Sequence, residues 1–339
     1  MRGSKVTIHD IAVLAGVSAG TVSRVINGRE GVGETTRARI MELVAEHGFS
    51  ANPAAQRLST GRSQAIGVVF PFHASQLVTR PVYPALLGGL GDAAEESGYD
   101  ILLLTIPDTR NIRRLEDAVS QQRIDGVVLP AAGPRDPMVK RLTQLGFPTV
   151  VIGHRATGLP WVDSAHDVAC RDLTRMLIAA GRRRFLFLNG PPTVSACALR
   201  AKGFRAAVKE SAGIRSSEHS LEFDPATVKD QVRRLLSGPA RSLPDAAVCA
   251  SDLIAAAFLE VAAEHGLAVP DDVAVTGFDD AAYSAYTTPA LTTVRMPLRD
   301  SGLTAARMLF TGIAGKSLDR RHVVLPTELV RRESTPAFP

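Results

Sequence analysis

Between Val17 and Gly28 the chain reads VSAGTVSRVING. Three hydroxyls (Ser18, Thr21, Ser23), one guanidinium (Arg24) and one amide (Asn27) surround the apolar Val22, Val25 and Ile26. Hydroxyls donate to phosphate oxygens, a helix N-terminus favours anions, and a guanidinium suits a guanine edge or a phosphate. The chemistry on offer is recognition of a polyanion rather than the making or breaking of bonds.

Short helices must position these groups. TIHDIAVLAG has Thr7 as N-cap, then Ile8, Ile11, Ala12 and Ala15 at helical spacing, and stops at Gly16. A second helix starts from Ser18 as N-cap and buries Val22, Val25 and Ile26. A third, GETTRARIMELVAEHG, carries Ile40, Leu43 and Val44 on one face and ends at Gly48. Counted from Ile8 as 1, Ala12, Gly16, Val22 and Val25 fall at 5, 9, 15 and 18. A small residue at Ala12 permits close crossing, and Gly16 permits a left-handed turn. This is helix-turn-helix spacing, although it also fits an ordinary helical hairpin.

Charge supports the first alternative. Residues 1–62 hold eight Lys or Arg against five acids, which is +3 of the chain's net +5. The three cysteines form no CxxC pair, so neither a disulfide framework nor a zinc site is expected. No long apolar run suggests a signal peptide or a membrane span. No cofactor or metal is expected.

SANPAAQRLSTGRS reads as a linker. Beyond residue 63 the pattern changes to strand then helix, repeated. Strands are expected at AIGVVF, YDILLLT, IDGVVLPA, PTVVIG, RRFLFLNG, DAAVCASD and DDVAVTGFDD. Helices are expected at YPALLGGLGDAAEESG, RRLEDAVSQQR, ACRDLTRMLIAAG, LRAKGFRAAVKESAG and LIAAAFLEVAAEHG. Continuous apolar strands alternating with helices imply parallel sheets covered on both faces, with ligands beyond the strands' carboxyl ends.

TIHDIAVLAGVSAGTVSRVING closely resembles the N-terminus of the lactose-repressor/galactose-repressor family of bacterial transcription regulators. The likeness continues in TRARIMELVAEHGFSANPAAQRLSTGRSQAIGVV, then in GFDD, PALTTVR and LPTELVRREST, in the family's order over nearly the whole chain. It implies a three-helix headpiece at 1–49, a hinge helix at 50–62 and an α/β core at 63–339. The core would hold two doubly wound parallel-sheet subdomains, like a periplasmic binding protein. One is expected at about 63–161 plus 295–322, the other at about 162–294 plus 323–335.

The resemblance also implies roles. Thr7, Ser18, Ala19, Gly20, Thr21, Ser23, Arg24 and Asn27 would meet DNA. Ala19 and Gly20 take the leading base-reading positions but offer little side chain, which shifts specificity toward Arg24. In the hinge, Asn52 would cap and touch phosphate, while Ala55 and Leu58 would face the minor groove, with Leu58 as a wedge. Gly33 stands where the family usually has a Ser N-cap. In the core, Arg200 and Asp279 match effector-contacting positions. Phe72, His73 and Tyr83 could stack on a ligand, and Ser251 stands where sugar-binding members often have Asn. Ala165-His166 stands where many members have Asp-Asn, and Met296 reads as packing. The helix from about Tyr83 to Ser97, with small residues in LLGGLG, would serve dimerisation or simply cover the sheet.

The expectation is therefore a cytoplasmic bacterial repressor, not an enzyme. It would bind a near-palindromic double-stranded DNA operator as a homodimer, under control of a small effector of carbohydrate type. A solute-binding protein would share the core but not the headpiece. An enzyme of doubly wound fold would need a GxSxG, a Walker loop or a GxGxxG after a strand, and none is present.

Overall fold

The structure, a computed structural model, describes residues 6–26, 28, 30–49, 61–108, 111–130, 133, 136–237, 243–316 and 322–337. The chain divides into two compact units, Met1–Ser63 and Gln64–Pro339. Asn27, Asn52, Ala55 and Leu58 lie outside the described residues.

Among the described residues three helices build the first unit: α1 (Ile8–Ala15), α2 (Ala19–Ile26) and α3 (Glu34–Glu46). Thr7 and Asp10 form a reciprocal capping box that starts α1, with the Thr7 backbone N–H 2.8 Å from the Asp10 carboxylate. Gly16 ends it at a φ of 69°, the left-handed turn that a Cβ would strain. Six side chains, Ile11, Ala12, Ala15, Val22, Val25 and Ile40, form the buried centre. Leu43 and Val44 pack on it from outside.

In the second unit the first five strands are β1 (Ala65–Phe70), β2 (Asp100–Thr105), β3 (Gly126–Pro130), β4 (Thr149–Ile152) and β5 (Trp161–Ser164). They are followed by β6 (Arg184–Asn189), β7 (Arg215–Ser220), β8 (Ala246–Cys249), β9 (Ala274–Thr276), β10 (Thr293–Arg295), β11 (His322–Leu325) and β12 (Glu328–Val330). A six-stranded sheet runs β11-β5-β4-β3-β1-β2 and a four-stranded one runs β7-β6-β8-β9, both parallel. Strands β1, β3 and β4 are buried along their whole length, as unbroken Val/Ile/Leu runs require in a sheet covered on both faces. An antiparallel pair, β10 with β12, lies beside them.

All seven strands read from sequence are present. The chain leaves the first sheet after Ser164 and after Leu325, a few residues later than the expected crossings near 161 and 322. Five strands were not expected. Among these, β7 (RSSEHS) is exposed throughout as an edge strand, so polarity hid it.

The helix expected near Tyr83 to Ser97 is α5 (Val82–Ser97), which follows the short α4 (Ser75–Thr79). Its small residues serve an intrachain crossing. A Cβ on Gly89 would overlap the carbonyl of Arg299, and one on Gly302 would overlap that of Leu86. Both belong to the crossing with Leu298–Ile313, a helix with no counterpart in the sequence reading. In the second half, Gly203 likewise lets its helix (Ser195–Lys209) touch the Asp167 backbone of the helix His166–Ala179.

Candidate functional site

On α2 the polar and apolar residues separate by face. Val22 and Val25 are buried, while Gly20 and Arg24 are exposed and Ala19, Thr21 and Ser23 are half-buried. The Ser18 hydroxyl accepts the Thr21 backbone N–H at 3.1 Å and lies 2.9 Å from the Thr21 hydroxyl. Ser18 thus caps the helix and holds Thr21 at its first turn, where the helix dipole favours an anion. Thr7 donates its hydroxyl to Asp10 at 2.7 Å, so its oxygen is already engaged in starting α1. The exposed strip from Ser18 to Arg24 is small apart from one guanidinium, so a partner could approach the helix backbone closely.

The second site is a cavity of about 1010 Å³ in the larger unit, lined by loops that follow strands of both parallel sheets. Phe72 and Tyr83 line it from the first half. They pack in an aromatic cluster with Phe70, their two ring centroids 4.9 Å apart, and Arg80 sits over Phe72 at 5.3 Å. His73 does not join them. It is exposed and outside the lining, because burying Phe72 in the cluster turns its neighbour outward, where its carbonyl accepts the Gln76 N–H.

Arg200, Ser251 and Asp279 line the cavity from the second half. Arg200 is only 6% exposed. It donates to the Ala250 carbonyl, faces Asp279 at 3.4 Å and stacks 3.9 Å from the Phe278 ring centroid. Asp279 holds a φ of 118°, a conformation L side chains rarely adopt and one that clusters at binding sites. Burial pushes its carboxyl up to about 6, against the pull of Arg200. Its neighbour Asp280 turns away to Arg332 (2.7 Å) and Arg295 (2.8 Å). The two acids of GFDD therefore divide, one toward the cavity and one toward the β10/β12 region. Ser251 caps the helix Asp252–Glu264 through the Ile254 N–H at 3.3 Å, which leaves its hydroxyl proton for another partner. Met296 is buried and reaches the same cavity.

Sequence reasoning gave no binding role to Asp163 and His166, which also line the cavity. Asp163 accepts Arg155 Nε at 2.9 Å and the Ser164 N–H at 2.9 Å, and lies 3.4 Å from His166 Nε2. Burial raises its carboxyl, but these partners outweigh burial and hold it below the usual carboxylate range. A carboxylate inside the half-polar WVDS segment was the available signal. Among the described residues no group of three or more His, Cys, Asp or Glu could hold a metal, and no helix is long and apolar enough to cross a membrane.

A helix-turn-helix with an exposed polar face, carried with a ligand-sized cavity between parallel sheets, defines a DNA-reading protein with a sensor core. Comparison with known proteins agrees. The family model for bacterial regulatory proteins of the lacI family matches residues 7–52, and that for a periplasmic binding protein-like domain matches 174–335. The HTH-type transcriptional regulator CelR of Thermobifida fusca is 33% identical, covering 98% of this chain and 99% of its own. RegA of Clostridium saccharobutylicum is 31% identical over 97% of this chain and 99% of its own. A solved CelR–cellobiose complex superposes with a TM-score of 0.75 at 32% identity, covering 97% of this chain and 99% of that one. The lac repressor dimer bound to operator and an anti-inducer reaches 0.86 at 24% identity over 98% of this chain and all of that one, a likeness of fold. The chain belongs to the lacI family of bacterial regulatory proteins and is an HTH-type transcriptional regulator.

Proposed function

We propose that the chain acts as a repressor on the nucleoid in the bacterial cytoplasm. It binds a near-palindromic operator as a homodimer and alters its grip when a small carbohydrate enters the cavity. The observation that carries the effector half is the cavity itself. It lies beyond the carboxyl ends of strands in both sheets, with Arg200 buried and Asp279 half-buried against it, where a ligand bridges the two halves and sets their angle. Two neighbours support this reading: a CelR solved with cellobiose and a lac repressor dimer solved on operator.

In this reading Ser18, Thr21, Ser23 and Asn27 grip phosphates, Arg24 reads a base edge, and Ala19 and Gly20 permit close backbone approach, with Thr7 at the flank. Asn52, Ala55 and Leu58 form the hinge contacts, Leu58 as the wedge that bends the duplex. Phe72, Tyr83, Arg200, Ser251 and Asp279 hold the effector.

Site selection from a random duplex pool, followed by titration of the selected site against effector, tests the whole. Wild-type protein is expected to enrich an inverted repeat and to lose affinity steeply with salt. Arg200→Ala is expected to bind the same duplex while its response to effector disappears. Enrichment of no inverted repeat removes the operator claim, and an Arg200→Ala protein that still responds removes the pocket assignment.

A further inference from the structure

Resting on the reading of the cavity as an effector site, we infer that Asp252 is a positioning residue of that site. It lies outside the cavity lining, and its carboxyl holds the Asp279–Asp280 turn in the conformation that presents Asp279 to the effector.

This turn needs holding. Asp279 has a φ of 118° and Asp280 one of 54°. Among the described residues they are the only adjacent non-glycine pair with positive φ. Such residues persist only where their surroundings over-determine them. The Asp280 carboxylate pairs with Arg332 and Arg295, but the Arg295 side chain is 51% exposed, and water weakens such a pair. Both pairs also act on Asp280 and leave Asp279 to be fixed by something else.

Asp252 bonds to the chain on both sides of the turn. It is 1% exposed and opens the helix Asp252–Glu264, a place where an acid ordinarily faces water and the helix dipole. Ser251 already caps that helix, and Asp252 directs its polar atoms to another segment. Its backbone N–H donates to the Phe278 carbonyl at 2.8 Å, just before the turn. Its Oδ2 accepts the Ala281 N–H at 2.6 Å, just after it. Its Oδ1 accepts the Thr293 hydroxyl at 2.5 Å, and the same Thr293 oxygen accepts the Asp280 N–H at 3.4 Å. Gly277 lies so close to the carboxyl that a Cβ there would overlap Oδ1. One residue thus clasps the segment 277–281 at both ends. The clasp also fixes Phe278, whose ring centroid lies 3.9 Å from the Arg200 guanidinium. Arg200 and Asp279 are the two charged groups of the second half assigned to the effector, and both depend on where this segment sits.

Amide exchange of the full chain without ligand tests this, read by mass spectrometry on peptides spanning 277–281 and, as reference, β8. Asp252→Ala is expected to speed exchange in the turn about tenfold, the scale of one buried N–H left unmade, and to leave β8 unchanged. Asp252→Asn keeps an oxygen for the Ala281 N–H and can donate to the Thr293 oxygen, so exchange is expected to stay within about threefold of wild type. Thr293→Val keeps the carboxyl and removes one bond, so it tests the clasp even if Asp252→Ala does not fold; exchange about threefold faster is expected. Calorimetric titration with cellobiose, maltose, glucose and ribose reads the consequence for binding. A probe that binds wild type is expected to lose about tenfold in affinity with Asp252→Ala and less than about threefold with Asp252→Asn. Exchange that is unchanged in Asp252→Ala, or that rises equally in β8, overturns the positioning role. So does an Asn variant no better than the Ala one, or a turn that loosens with no loss of affinity. A wild type that binds none of the probes overturns the carbohydrate reading of the cavity instead, and the exchange comparison then still decides whether Asp252 holds the turn.

Discussion

The two units of this chain are held together in different ways. Among the described residues the headpiece buries six side chains between helices of 8, 8 and 13 residues, and local devices such as the Thr7–Asp10 capping box and the Gly16 turn do much of the rest. The core has four apolar clusters, and its two main helix crossings bring backbone against backbone at Gly89, Gly302 and Gly203. The contrast follows from purpose. A reader of DNA must leave one face of each helix polar and small, so little is left to bury. A sensor must transmit a change of angle between two halves, which needs elements that interlock and move as blocks.

The contrast can be broken first at Ile40. This residue is fully buried on α3 and is one of the six central side chains among the described residues. Ile40→Ala is expected to cost about 2–5 kcal/mol. A unit of this size has roughly 0.05–0.15 kcal/mol per residue to spend, so the headpiece should unfold or nearly so. Operator binding in a gel shift would then vanish while the main calorimetric transition of the core stays in place. A core transition that shifts with it would show that the two units melt as one.

The next effect belongs to the core. Gly302→Ala sets a methyl group against the Leu86 carbonyl and pushes α5 from the helix Leu298–Ile313. Overpacking of this kind costs about 1–3 kcal/mol, a fall of several degrees in the core transition. Operator affinity measured well below that transition should change little. An unshifted melting temperature would mean that the crossing has slack, and that the core is no more rigidly locked than the headpiece.

Legibility in the sequence divides along the same line. The headpiece could be read almost to the residue, because its signals are local: Thr7 and Ser18 as caps, Gly16 as a turn, Val22 and Val25 as a face. In the core, buried strands such as AIGVVF and PTVVIG were evident from composition. Elements whose membership depends on distant partners were not. Strand β5 is WVDS, half polar, and enters the sheet because β4 and β11 flank it. The helix Leu298–Ile313 shows a broken apolar pattern since Gly302 faces the Leu86 backbone and Ser301 turns its hydroxyl to the Pro297 carbonyl. Helices also begin earlier than expected, at His166 instead of Ala169, where the polar His166-Asp167 turn resembles a loop, and at Ser195 instead of Leu199. The cavity follows the same rule. Arg200 and Asp279 could be marked from motifs, whereas His73 was misplaced and His166 passed over, since which neighbour faces inward is decided by packing around Phe72 and Phe278.

The smallest test returns to the headpiece and asks how far its local devices alone can be tuned. Gly33 is the N-cap of α3, at φ −58° and ψ 148°, and supplies no side-chain hydrogen bond. A Cβ there meets nothing within 4 Å, so Ser can be added without a clash. Its hydroxyl can take a free backbone N–H of the first turn, and Gly33→Ser is expected to stabilise the headpiece by a few tenths of a kcal/mol. Amide exchange of the α3 backbone N–H groups reads this directly, with slower exchange in the headpiece and none of it in the core. If α3 gains no protection, its start is governed by the burial of Ile40 and not by the cap. The headpiece would then depend on side-chain packing as heavily as the core does.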